Sequence, residues 1–491
     1  MNLPFCRIAR VAFLAFSLLA ITACGGGGSA PSSVGGTGTD GTGPSVPPPL
    51  SKEFTIGGTV SGLVGQGLTL ELSASGTDQV LAISGNGDFV FPPTVDSGAR
   101  YGVSIKQQPS SPTQRCVVGR GSFAAGGFLS NGSNITDVGV VCGEFAYVTN
   151  AAGNTISAFS VDANTGVITS VGPPVIAGYA PYAIANTSYT SDRRYLYVVN
   201  GASNDVSAFA ADAGSGALVA VPGSPFAAGT KPRAISIYAV INAGDYSPPP
   251  QRLKYYLYVA NVGSDDVSAY QIDRATGVPT PLSPATYATG AGPSVVVIHP
   301  QGAFLYVANT GGSSDISAFQ ISGLSGGLSP ITGSPFPSGS SVSSLAFGAS
   351  GKFLYAANAT AGGAAIDGFT VDPNTGALTD LAGFPLALPS CQSIIAERTG
   401  AYLYARTGAH VLGYGIDPQT GALNPLPGFP VAAGNTGSSL SIDPANQFLY
   451  VADGSDGRVT GFELNAETGE LTPMPSSPFA VGSSADFITT F

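Results

Sequence analysis

Short apolar runs alternate with polar turns along most of this chain, and one aromatic-rich run recurs at a fixed interval. The run has the form F/Y-L-Y-V-A-N. Its copies centre on Tyr147, Tyr197, Tyr258, Tyr306, Tyr355, Tyr404 and Tyr450, with steps of 50, 61, 48, 49, 49 and 46 residues. A period near 50 residues marks a radial array of small sheets, a β-propeller. The stretch 293–330 holds one whole unit. Residues 293–298 are a continuous apolar run, predicted as an inner strand buried on both faces. A His299–Gly302 turn, a second strand at 304–308 and a third, mostly alternating, strand at 316–321 follow. The hairpin 322–326 then leads to an outer strand from Leu328. Four antiparallel strands of graded burial make one blade.

The hairpin before each outer strand repeats its own chemistry. It reads D-A-N-T-G from Asp162, D-A-G-S-G from Asp212 and D-R-A-T-G from Asp273. Later copies are D-P-N-T-G from Asp372, D-P-Q-T-G from Asp417 and N-A-E-T-G from Asn465. Asp or Asn bonds the backbone two residues on, and Gly supplies the positive φ that closes the turn. These acids therefore read as structural. The array begins out of phase, because Phe145 already belongs to a second strand. The C-terminal residues 485–491 have the length and pattern of the missing inner strand. They are predicted to complete the first blade, removing an edge open to aggregation. The 61-residue step is assigned to an extra loop around Asp245–Pro250, leaving seven blades.

Residues 53–142 have a different pattern: several short strand-like pieces, including the alternating Leu68-Thr-Leu-Glu-Leu72, at close spacing. They predict a small β-sandwich. The pattern G-G-T-V-S-G-L followed by L-T-L-E-L resembles the immunoglobulin-like or carboxypeptidase-regulatory-like modules of bacterial surface proteins, whose usual role is spacing or adhesion. The predicted fold class is thus all-β, with a seven-bladed propeller over 143–491 preceded by this sandwich.

Upstream, residues 24–52 are rich in Gly, Ser, Thr and Pro and cannot bury enough surface to order themselves, which predicts a tether. Residues 1–23 pair the basic Arg7 and Arg10 with an apolar run from Val11 to Ile21 that is too short for a permanent membrane helix. Ile21-Thr-Ala-Cys24 resembles the bacterial lipoprotein signal box, which implies lipidation of Cys24 after cleavage. Gly25 follows the cysteine, and in a Gram-negative host the absence of Asp there resembles outer-membrane sorting rather than inner-membrane retention. The expected location is the cell envelope, lipid-anchored at the outer membrane. Cys116 and Cys142 fall in the sandwich and predict a disulfide in an oxidising compartment. Closing that loop would contribute roughly 3–4 kcal/mol on the chain-entropy model.

Composition mainly excludes. Charged residues are 10% of the chain, well below the usual quarter or so, and the formal net charge is −11. No basic stripe exists, so nucleic acid is not an expected partner. Two His and two Met leave little to ligate haem, so no cofactor is predicted. Asp265 and Asp266 lie side by side, and Asp453 and Asp456 occupy the matching turn of the last blade. Calcium needs six to eight oxygens, so these read as turn residues and no metal site is predicted. His299 and His410 also read as turn residues, and Cys391 as a small buried hydrophobe.

The Y-V-T-N and F-L-Y-V-A-N repeats, with D-x-x-T-G-x-L, resemble the seven-bladed propeller family that includes lactonases of the 6-phosphogluconolactonase type. The resemblance covers Gly143 to Phe491 and rests on blade-building residues. It implies a ligand site at one mouth of the central channel, lined by the loops entering the inner strands. In those loops Lys231 and Arg233 are the cations and Asp486 the nearest acid, and these are the candidate ligand-binding residues. A lactonase needs a base to activate water and donors for the oxyanion. Lys231 and Arg233 could supply the donors, but no cluster of His, Glu and Arg is legible, and catalytic residues stay unassigned. The leading expectation is a membrane-tethered extracytoplasmic propeller that binds protein or glycan. The alternative is a hydrolase opening a sugar or aliphatic lactone at the channel mouth.

Overall fold

The computed structural model describes residues 53–490 except 75–76, 93–94, 97–99, 111–113, 119–126, 129–133, 188–193, 242–252, 313, 340, 359–363, 435–436 and 455. The predicted signal and tether segments, Cys24 and the loop around Asp245–Pro250 lie outside the described residues. No helix among the described residues is long and apolar enough to cross a membrane.

Residues 53–142 form two four-stranded sheets and a short ribbon. In one sheet Ile56–Ser61 pairs in parallel with Ile135–Cys142. In the other, Thr69–Ala74 is flanked by Thr77–Ala82 and Arg100–Gln107. Leu70, Leu72 and Val103 of the second sheet share one core with Ile56, Phe89 and Val140 of the first. Cys116 and Cys142 form a disulfide inside that core. The sandwich packs closely on the propeller: a Cβ on Gly62 would lie 2.3 Å from the Ala213 carbonyl oxygen in the second blade's hairpin.

Seven antiparallel sheets follow. The first combines Glu144–Asn150, Thr155–Val161 and Ile168–Ser170 with the C-terminal strand Phe487–Thr490, which pairs antiparallel with Glu144–Asn150. Blade 4 comprises Pro293–Ile298, Phe304–Asn309, Asp315–Ile321 and Leu328–Pro330. Burial corrects one expectation. The second strand is buried at every position, whereas the inner strand is only half-buried. The inner strands have a second sheet neighbour on one side only, and along the axis they face an open cavity.

The repeated tyrosine and the repeated glycine turn out to be two halves of one joint. Each motif tyrosine donates its hydroxyl to the carbonyl of the glycine closing the next blade's hairpin. Tyr147 bonds Gly216, Tyr197 bonds Gly277, Tyr258 bonds Gly326 and Tyr306 bonds Gly376, at 2.6–2.8 Å. Tyr355 bonds Gly421, Tyr404 bonds Gly469, and Tyr450 returns to Gly166 in the first blade. All seven rings are fully buried, and burial pushes their phenols upward, as at Tyr197, Tyr258 and Tyr450. The aromatic two residues before each tyrosine packs on the same glycine. The hairpin acids are structural. The Asp273 carboxylate accepts from the Thr276 hydroxyl and amide and the Ala275 amide, and those bonds hold it below its usual range.

A second joint fixes the loops at the opposite end of the blades. Asn154, Asn204 and Asp265 adopt positive φ, and each accepts the backbone N–H of the loop entering the blade after its own: Ala180, Lys231 and Gly292. Asp265 is thereby committed to a latch, and Asp266 to bonds with Asn261 and Ser264. Among the described residues no group of three or more His, Cys, Asp or Glu is placed to hold a metal ion.

Candidate functional site

The inner strands open on a cavity of about 570 Å³ at the end of the channel where those strands begin. A register shift at the head of the inner strands shapes it. In blades 2, 3, 4, 5 and 7 the first inner residue pairs with the last residue of the second strand, and the ladder then slips by one or more residues. The slipped residue is Tyr182, Arg233, Ser294, Ser343 and Ser438 in turn. Gln392 and Asp486 hold the same place in blades 6 and 1. Such bulges re-aim a side chain off the ladder. Tyr182, Arg233, Ser294, Ser343 and Gln392 all line the cavity.

The next residue in each blade forms a second ring below the first. Phe487, Ala183, Ala234 and Val295 make an apolar arc over blades 1 to 4. Ser344, Ser393 and Ser439 make a hydroxyl arc over blades 5 to 7. Some hydroxyls also tie blades together: Ser344 Oγ contacts both the amide and the carbonyl of Ile394, and Ser439 Oγ accepts from Ile488 N. Gln392 Oε1 accepts from Gly408 N, which orients the amide.

The three candidate residues separate. Arg233 is in the cavity wall, its guanidinium carbon 4.4 Å from the Tyr182 ring centroid and its Nη2 donating to Tyr182 Oη at 2.9 Å. Lys231 is not in the lining; it sits at φ 51° in the entry loop, its N–H given to Asn204. Asp486 shares the ring position but is not in the lining, because its Oδ2 accepts from Ala151 N and Ser484 Oγ. The residues missed from sequence in the first ring are Tyr182, Ser294, Ser343 and Gln392, and in the second Ser344, Ser393 and Ser439. For the first ring the signal was available as the residue just after Pro181, Pro293, Val342 and Cys391.

Other titratable groups lie elsewhere. His299 opens the predicted turn and is only 4% exposed. Gln301 N donates to its Nδ1, so the proton sits on Nε2 and goes to the Gly351 carbonyl, while burial lowers its pKa. Phe304 and Phe347 meet the ring edge-on. Cys391 is buried and its thiol is pushed up to about 12 by that burial. Glu144 is pushed up to about 8 by burial and then by the Asp443 carboxylate, against Arg115, Arg398 and Arg194. It heads the second strand of blade 1 beside the sandwich and does not line the cavity.

The family model described as "Lactonase, 7-bladed beta-propeller" matches residues 129–231, 279–396 and 389–487. Among solved structures, a candidate 6-phosphogluconolactonase of Bacteroides uniformis superposes with a TM-score of 0.57 at 17% identity, covering 71% of this chain and 99% of that one. The periplasmic gluconolactonase of Pseudomonas aeruginosa gives a TM-score of 0.55 at 18% identity, covering 71% and 98%. At these identities the likeness is one of fold. No curated protein matches the chain.

Proposed function

The chain belongs to the seven-bladed β-propeller lactonase family, and from that premise we propose that its central cavity binds a small sugar derivative, a lactone or the acid it opens to. The observation that carries this is the two-sided second ring under a single arginine. A sugar presents hydroxyls at its rim and C–H groups on its faces. Ser344, Ser393, Ser439 and Gln392 suit the first, and Phe487, Ala183, Ala234 and Val295 the second. The volume falls among small-molecule sites, which run from about 300 to 1,000 Å³.

Binding without turnover is favoured by the donor set. Among the described residues the lining holds no carboxylate and no imidazole, and water attack on a lactone needs a base. Hydrolysis is the second reading, favoured by the family match and by the likeness to a structure named as a gluconolactonase. In it Arg233 would hold the oxyanion. Calorimetric titration with glucono-1,5-lactone and gluconate, run beside a lactone hydrolysis assay, separates the two. Heat of binding with hydrolysis at the buffer rate is expected.

The same reading sets the propeller outside the cytoplasm, carried by a lipid on Cys24. Two features support it: the apolar leader that ends just before Cys24 and the Cys116–Cys142 disulfide, since disulfides persist in oxidising compartments. In a lipoprotein-processing host, radiolabelled palmitate should enter the wild-type chain and not Cys24→Ser. Equal labelling of the two would refute the anchor.

A further inference from the structure

The seven blades repeat one another, and the residue at the head of the inner strand, bulged in blades 2, 3, 4, 5 and 7, is one place where they differ chemically. Those residues run Asp486, Tyr182, Arg233, Ser294, Ser343 and Gln392 from blade 1 to blade 6. Arg233 is the one charged group among the described residues lining the cavity. We infer that this ring reads a carboxylate, so that the ligand class is a polyhydroxylated sugar acid, taken in preference to its neutral lactone or parent polyol. This inference rests on the cavity being a sugar site, as proposed above.

Arg233 is exposed, yet it is held in one pose. The guanidinium carbon lies over the Tyr182 ring and the Tyr182 hydroxyl takes one N–H. A cation over an aromatic face is attracted by the ring quadrupole, and the hydrogen bond fixes its rotation. A guanidinium has five N–H donors in a planar fork, and among the described residues only one is used by protein. The remaining edge matches the two oxygens of a carboxylate, which makes paired charge-assisted bonds. A lactone carbonyl offers one uncharged oxygen to the same edge. Asp486, the ring's acid, is turned to Ala151 N and Ser484 Oγ. The net charge of −11 gives the chain no general attraction for anions, so the selectivity is local to this pair. With the carboxylate at Arg233, on blade 3, the hydroxylated tail extends across the channel to Ser393 and Ser439 on blades 6 and 7.

The test is calorimetric titration of the purified chain with D-gluconate and D-glucitol, which differ in a carboxylate against a CH₂OH. Wild type, Arg233→Gln and Tyr182→Phe are compared, with thermal melts as a folding control. Gluconate should bind at least about tenfold more tightly than glucitol, and the preference should shrink as salt is added. Arg233→Gln should weaken gluconate roughly ten- to hundredfold, leave glucitol within about twofold, and keep the melting midpoint. Tyr182→Phe keeps the stacking ring and should weaken gluconate alone, by a few-fold, as a positioning residue would. Equal binding of the two polyols, or equal gluconate affinity in Arg233→Gln, would overturn the sugar-acid inference and leave the cavity reading standing. Failure of both polyols to bind a well-folded chain would overturn both.

Discussion

Gly277→Ala should lower the stability of the propeller by roughly 2–5 kcal/mol, far more than one methyl group on a surface hairpin suggests. Gly277 sits at φ 74°, where a side chain costs about 1–2 kcal/mol. A Cβ there would lie 2.3 Å from the Tyr195 ring, and overpacking of that kind costs about 1–3 kcal/mol. Relief would require moving the hairpin away from blade 2, which stretches the Tyr197 Oη bond to the Gly277 carbonyl. Gly383→Ala is the matched control: φ is 88°, but nothing lies within 4 Å of its Cβ, so only the backbone cost remains. Urea unfolding of both variants checks the claim. Indistinguishable midpoints would mean that the tyrosine–glycine joint contributes nothing beyond local turn geometry.

Ending the chain after Asp486 should cost at least about 4 kcal/mol and make the chain prone to aggregate. The lost strand carries Ile488, which is 1% exposed and packs with Ala146, Val148 and Tyr450. It also supplies the ladder from Thr149–Phe487 to Ala146–Thr490 and the Ile488 N–H that bonds Ser439 Oγ. Burying one Ile side chain contributes about 1.5–3 kcal/mol and each ladder bond about 0.5–1.5 kcal/mol. Without it the fully buried strand Glu144–Asn150 becomes a free sheet edge. Size exclusion and thermal melting should show oligomers and a depressed midpoint, partly restored by adding the peptide Phe-Ile-Thr-Thr-Phe. A truncated monomer with the parental midpoint would show that blade 1 closes without this strand.

The sequence spoke most clearly where seven copies constrained the same residues. Tyr306 and Gly376 were each legible as repeated features, one in a strand and one in a turn. Their bond was not, because it joins residues 70 apart on different blades. The loops lining the channel were legible too, but the functional residue in each lies one step further on, after Pro181, Pro293 or Val342. A bulge leaves no periodic mark: a single slipped residue looks the same in sequence as one in register. Lys231 and Arg233 looked equivalent two residues apart, and the positive φ at Lys231 and the register slip at Arg233 separate them. His299 read as a polar turn residue because its turn context is plain; the Phe304 and Phe347 rings that bury it come from two blades.

The central claim is that this lactonase-family cavity binds a sugar derivative without a water-activating base. The direct measurement is the rate of glucono-1,5-lactone hydrolysis by the purified chain starting at residue 52, corrected for buffer. The account predicts the buffer rate at every protein concentration, with Arg233→Gln indistinguishable from wild type. Saturable acceleration by the wild type, lost in Arg233→Gln, would contradict it and place at the cavity a base that is absent from the lining among the described residues.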